Sequence, residues 1–238
     1  MNDLKKMSNS LEETLKDSDL QNLTTDLAET FADSLLNDGI LKDIPIIGTI
    51  IGLTKSAISF NDRLFIKKLI FFISELKNTD PLERKRLITE IDESEKHKVK
   101  VGEKLLYIID KCEDHVTSKY VAILFKAFLN EEINYNQFLR CSTIINKIFI
   151  EDLEQFILMS VDEIQKTRRH YGTEITDFQF SLINCGICAT ETERVSVRDQ
   201  DDYKAQEKYV VDGGDTHVYL TDIGTTLKNI LNTTANTP

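Results

Sequence analysis

The residues with the clearest chemical potential are the four cysteines and four histidines. Cys185-Gly186-Ile187-Cys188 has the C-x-x-C spacing of dithiol redox sites and of half a zinc site. A thioredoxin-like motif sits beside a βαβ pattern, which the flanking sequence does not supply. A structural zinc needs two more ligands, and neither a second C-x-x-C nor an H-x-x-x-H occurs. His97, His115, His170 and His217 are scattered without metal spacing. The segment FLNEEINYNQFL has the sound of an EF-hand. Aligned on Ile133, however, it places Lys126 at the first ligand position, Glu131 at the glycine and Gln137 at the bidentate acid. G-x-S-x-G, G-x-x-x-x-G-K and G-x-G-x-x-G are all missing. The expectation is a protein that is not an enzyme, with no catalytic residues, no metal and no cofactor.

Charge narrows the binding chemistry. Forty acidic residues against 29 basic ones give a net charge of −11, which opposes general affinity for nucleic acid. A phosphate-bearing ligand then has two basic clusters to choose from. The favoured one is Lys166, Arg168, Arg169 and His170 with Tyr171: guanidinium groups hold phosphate oxygens bidentately, and the tyrosine offers a stacking surface. The same cations would equally suit the last turn of a helix, where they complement its dipole. The secondary cluster is Lys96, His97, Lys98 and Lys100, with Lys104. The ligand would be a nucleotide or an oligonucleotide.

The most apolar stretch runs from Ile44 to Phe60, where Lys55 is the one charge in seventeen residues. Ile46, Ile47, Gly48, Ile50, Ile51 and Gly52 are its membrane or pore candidates. The two glycines, four apart, lie on one helical face and would admit a second helix closely. A polar turn, Asn61-Asp62-Arg63, is expected before LFIKKLIFFI. Residues 44–76 carry a local charge of +2, which suits anionic lipid headgroups. Seventeen residues is the short end of what a bilayer requires, so two buried core helices, or an oligomer core, remain the competing reading.

The positioning elements read as mainly α. Ser10-Leu11-Glu12-Glu13 has capping-box spacing and predicts a helix start, with Leu11, Leu15, Leu20, Leu23, Leu27, Phe31 and Leu35 forming its apolar stripe. Asp80-Pro81 predicts another start, and Asn134 a cap. Apolar residues from Val121 to Ile157 recur at helical spacing and read as core. A helix ending at Gly186, a hairpin with a polar tip, and a strand entering a helix capped by Thr221 close the chain. The expected organisation is an acidic amphipathic helix (1–43), apolar membrane-candidate helices (44–76), a helical domain (77–165) and a smaller α+β domain (166–238). No secretory signal is expected, because residues 1–30 lack an apolar core, and four cysteines are too few for a disulfide scaffold.

Leu182 to Ile187, the two-stranded segment, and Tyr219-Leu220-Thr221-Asp222-Ile223-Gly224 resemble the end of a winged-helix domain over about 60 residues. Its use on DNA is opposed by charge, since residues 170–238 hold five basic and eleven acidic side chains. Together with Lys119-Tyr120, Leu124-Phe125, Ile133-Asn134-Tyr135, Phe138-Leu139-Arg140 and Glu151-Asp152-Leu153, the whole resembles bacterial abortive-infection proteins, among them channel effectors of antiphage systems such as Hailong. That resemblance implies an ion-channel effector of antiphage defence, a homo-oligomer of tetrameric form, lipid contact and control by a nucleotide ligand. The alternatives are a winged-helix DNA-binding regulator and a structural oligomeric interaction protein. The expected location is the inner membrane or its cytoplasmic face, or the cytoplasm if the apolar run is core.

Overall fold

The computed structural model describes residues 2–17, 20, 42–54, 58–165, 175–199 and 209–235. Among them are eleven helices and four strands: α1 (Asn2–Lys16), α2 (Pro45–Leu53), α3 (Phe60–Glu75), α4 (Pro81–Glu93), α5 (Val101–Asp110), α6 (His115–Leu129), α7 (Tyr135–Ile145), α8 (Ile150–Leu158), α9 (Val161–Ile164), α10 (Asp177–Cys185), β1 (Cys188–Thr192), β2 (Ser196–Asp199), β3 (Tyr209–Asp212), β4 (Thr216–Leu220) and α11 (Asp222–Ala235). The protein is mainly helical with a small C-terminal strand region, and divides into two compact units, Met1–Asn146 and Lys147–Pro238.

Unit one is built on the α3–α6 pair, with α7 packed against α6. Phe72, Phe125, Phe128, Tyr135 and Phe138 form a chain of ring contacts, with Phe125 and Phe138 centroids 5.3 Å apart. Local chemistry sets the helix starts. The Asp80 carboxylate accepts from the Leu82 and Glu83 amides with Pro81 in the first turn, and Asn134 with Gln137 makes a reciprocal capping box. The capping-box spacing at Ser10 does not start a helix. Ser10 lies inside α1, where its hydroxyl is 2.6 Å from Thr49 Oγ1 on α2. The remainder of the expected stripe, Leu23 to Leu35, falls outside the described residues. Asn61-Asp62-Arg63 is likewise helix rather than turn, because Ser59 and Asp62 cap each other reciprocally at the start of α3.

The membrane reading of residues 44–76 is overturned. α2 has nine residues, about 13.5 Å at 1.5 Å per residue, less than half of the roughly 30 Å hydrocarbon core. α3 has sixteen residues but includes Asp62, Arg63, Lys67, Lys68 and Glu75. Among the described residues no helix is long and apolar enough to cross a membrane, which conflicts with the transmembrane-helix, membrane and ion-channel assignments. Ile46, Ile47 and Ile50 are buried, and α2 packs on α1. The Ile46 amide donates to Thr14 Oγ1 at 3.2 Å. The glycines do not form a paired groove. A Cβ at Gly48 would meet the Lys42 carbonyl oxygen at 2.6 Å, whereas nothing stands within 4 Å of one at Gly52.

Arg84 ties the helix ends of this unit together. It is 1% exposed, and among the described residues its guanidinium donates to the carbonyls of Leu15, Asp17, Leu76 and Thr79 and to Thr79 Oγ1 rather than to a carboxylate. These oxygens close α1 and α3 and precede α4, so one cation serves acceptors that helix ends leave unpaired.

In unit two α8 contacts α10 and α11. Lys228, 5% exposed, donates to the carbonyls of Phe156 (2.7 Å) and Ile157 (3.3 Å) at the end of α8 and sits over the Phe156 ring. The strands form two antiparallel pairs, β1 with β4 and β2 with β3, stacked end to end along one long hairpin.

Candidate interaction surface

The hairpin is anchored at its base by backbone atoms. α10 starts with a Thr176–Gln179 capping box and ends at Gly186, whose φ of 90° is left-handed and favours glycine. Ile187 follows, fully buried. Its carbonyl accepts the Thr221 amide at 3.0 Å, while Thr221 Oγ1 donates to the Gly186 carbonyl and accepts the Gly224 amide. A Cβ at Gly224 would stand 2.1 Å from the Ile187 oxygen, so only glycine lets the first turn of α11 close over it. The predicted stop at Gly186 and cap at Thr221 are both present.

From this base β1 and β4 run in register from Cys188↔Leu220 to Thr192↔Thr216. Cys188 and Val218 face inward, and the outer end is closed by Thr192 Oγ1 against Thr216 Oγ1 at 3.0 Å. A kink then separates the two strand pairs. Gly213 and Gly214 adopt φ of 84° and 91°, and a Cβ at Gly213 would lie 2.2 Å from the Arg194 carbonyl oxygen.

Beyond the kink β2 and β3 pair as Ser196↔Asp212, Val197↔Val211, Arg198↔Val210 and Asp199↔Tyr209. Alternation divides them into two faces. One carries Ser196, Arg198, Val210 and Asp212, with Arg198 Nε 2.8 Å from Asp212 Oδ2. The other carries Val197 and Val211 side by side, with Tyr209 and Asp199 toward the tip. Val195 precedes Val197 by two. Val195, Val197, Tyr209 and Val211 are 61%, 62%, 55% and 54% exposed. An isolated two-stranded hairpin is only marginally stable in water, and a ribbon with one apolar face gains most from being covered. The tip, residues 200–208, lies outside the described residues.

The residues singled out for chemistry are placed elsewhere or unsuited to it. Burial pushes the thiols of Cys112, Cys141 and Cys188 up to about 12 and raises that of Cys185, the opposite of what a reactive thiolate requires. Among the described residues no group of three or more His, Cys, Asp or Glu could hold a metal ion. Lys166, Arg168, Arg169, His170 and Tyr171 lie outside the described residues. Lys96, Lys98 and Lys100 are exposed in the α4–α5 connection, with the His97 ring edge-on to Tyr135 at 4.9 Å. The Val101 amide at the start of α5 is taken by Asp92 Oδ1 at 2.8 Å, so a carboxylate of the chain itself occupies that helix end.

Two further features escaped sequence reasoning. Glu12 is 7% exposed, with Oε1 unbonded, and burial first and Asp92 second raise its carboxyl, against Lys16 and Lys100. A cleft of about 310 Å³ is lined by Thr79, Asp80, Glu83, Leu129, Asn130 and Glu131. Arg86 bridges Glu83 and Glu131 beside it. Among the described residues the distal ribbon presents Val197, Tyr209 and Val211 exposed together, in register and on one face. No protein-family model, curated protein or solved structure matches the chain.

Proposed function

We propose that this is a non-catalytic interaction protein, whose C-terminal unit is a winged-helix-like module adapted to bind protein through its wing. One observation carries the reading: the distal ribbon holds Val197, Tyr209 and Val211 in water-facing positions on one side. Aromatic and apolar side chains grouped this way are the usual core of a protein interface, whereas a nucleic-acid surface concentrates cations. The helix preceding the wing, α10, exposes Asp177, Phe180 and Asn184 and has no lysine or arginine. Described residues 188–199 and 209–220 carry five acids and two arginines, a net of −3. Both features repel phosphate and favour the interaction protein over the DNA-binding regulator. The resemblance to abortive-infection proteins would place the association in antiphage defence.

The test is site-specific photocrosslinking in cells from benzoylphenylalanine at position 211, against the same probe at Ser196 on the opposite face. Protein adducts from 211 and few from 196 are expected. Adducts to nucleic acid, or none to any protein, would overturn the reading.

A further inference from the structure

Where α1 crosses the start of α5, two acids meet in a buried contact. Glu12 on α1 is 7% exposed, and its Oε1 has no donor among the described residues. The side chain lies flat on the first turn of α5. A Cβ at Gly102 would stand 2.7 Å from Glu12 Cγ and 3.0 Å from Oε1, so the bare α-carbon there makes its room. Its neighbour is Asp92, from the last turn of α4, which shares a side-chain hydrogen bond with it and accepts the Val101 amide at 2.8 Å. Ionised carboxylates are acceptors only, so this contact closes only with a proton on one of the two.

The surroundings assign that proton. Asp92 holds an amide at the positive end of α5, which favours its anion. Glu12 is the more deeply buried of the pair. Its nearest cation is Lys16 of its own helix, 3.5 Å from Oε2 with a side chain 28% exposed, and Lys100 at the N-cap of α5 adds a smaller pull. From α2, which also packs on α1, no ionisable side chain comes, and Thr49 meets Ser10. Tyr135 of α7 feels the Asp92 charge, with its hydroxyl unbonded among the described residues and its ring against His97. Arg84 holds the Leu15 and Asp17 carbonyls beyond the pair.

We propose that Glu12 and Asp92 form a one-proton clasp, which fastens α1 to the α4–α5 connection and loosens the helix when the proton leaves. Burial first, and Asp92 second, hold the Glu12 carboxyl above its ordinary value of 4.5. The clasp is therefore complete in acid and opens as pH rises through that higher value. Once both groups are ionised they repel across a buried contact. The element that yields is α1, which packs over α2 and its buried Ile46, Ile47 and Ile50. Proton loss thus sets how often this apolar surface is uncovered, through a local opening rather than through unfolding of the whole chain.

The experiment is amide hydrogen exchange of the full chain, wild type against Glu12→Gln, from about pH 4 to 8. Glutamine keeps a donor toward Asp92 that cannot ionise. At each pH intrinsic rates cancel between the two proteins. Protection of α1 in the variant should match wild type in acid and exceed it by more than about threefold at pH 8, with a smaller gain in α11. Asp92→Asn reverses the donor while still offering Val101 an acceptor, and should give the same divergence. A carboxyl-carbon NMR titration of the wild type is independent of how the variants fold. Glu12 should titrate above its ordinary value, with a second inflection where Asp92 titrates. A Glu12 titration at or below the ordinary value, or a wild-type-to-variant ratio that does not change with pH, would overturn the clasp. Equal gains in α1 and α11 would also overturn it, since whole-chain stability and not α1 would be what responds. So would recovery of α1 protection at pH 8 on adding calcium or magnesium, because the pair would then share a cation and not a proton.

Discussion

Replacing Arg84 by methionine keeps most of the buried stem and deletes the guanidinium. The change takes donors from four carbonyls, those of Leu15, Asp17, Leu76 and Thr79, and from Thr79 Oγ1. A hydrogen bond to a charged group contributes about 1.5–3 kcal/mol. The simple total is too large, because burying the cation itself is costly and helix-end carbonyls recover water when the end frays. Burial lowers the Arg84 pKa from its ordinary value, which has the same origin. A net loss of about 3–5 kcal/mol is expected, as when one partner is removed from a buried charged network. Guanidinium chloride unfolding followed by far-UV circular dichroism reads it directly, and the melting temperature should fall by roughly 10 °C. Amide exchange should accelerate first in α1, whose last turn loses two acceptor contacts. Arg84→Lys should recover only part of the loss, since an ammonium has three donors and no planar fork. If Arg84→Met lies within about 1 kcal/mol of wild type with α1 protection intact, the guanidinium is not what joins these helix ends.

Two more outcomes follow from unit one. Glu12 has its carboxyl raised by burial and by Asp92, so its contribution is fully present below about pH 4.5, the ordinary value, and is lost as pH rises through the raised folded value. Glu12→Gln should therefore stabilise the protein near neutral pH relative to wild type, and the difference should close in acid. Melting curves across that range check the sign. Gly52→Leu should leave stability within about 0.5–1 kcal/mol of wild type, whereas Gly48→Leu should cost more than about 2 kcal/mol, because its Cβ meets a backbone oxygen. Equal effects at the two positions would show that the contact with Lys42 does not constrain α2.

What could be read in advance depended on how locally each choice is made. Asp80-Pro81, Asn134, Gly186 and Thr221 act within a few residues of themselves, through cap hydrogen bonds or a left-handed φ, and the spacing alone reveals them. Ser10-Leu11-Glu12-Glu13 has the same spacing but different roles: Ser10 meets Thr49 and Glu12 is buried near Asp92, contacts made 39 and 80 residues away. Residues 44–53 are as apolar as a short membrane span because burial against protein selects the same side chains. The short length of the helix they form and the cover provided by α1 separate the two cases. Arg84, inside Glu83-Arg84-Lys85-Arg86, reads as solvated helix surface, and nothing in that run marks the one side chain directed inward. The alternation in VSV and the β-branched run YVV announce a hairpin, but not that Val197 and Val211 would be left in water.

The anchoring of the arm has a consequence for how the chain can change. The base is secured by the backbone oxygens of Gly186 and Ile187, by Thr221 and by the bare α-carbon of Gly224, none of which senses the side chains farther out. Length and sequence beyond Thr192 and Thr216 are therefore free to drift without disturbing the helices below. The drift has a parity. Adding residues two per strand lengthens the ribbon and preserves its faces, while a single extra residue in one strand exchanges valine and arginine sides from that point to the tip. Partner choice can thus be rewritten by a short insertion in a part of the molecule whose loss the core would not register.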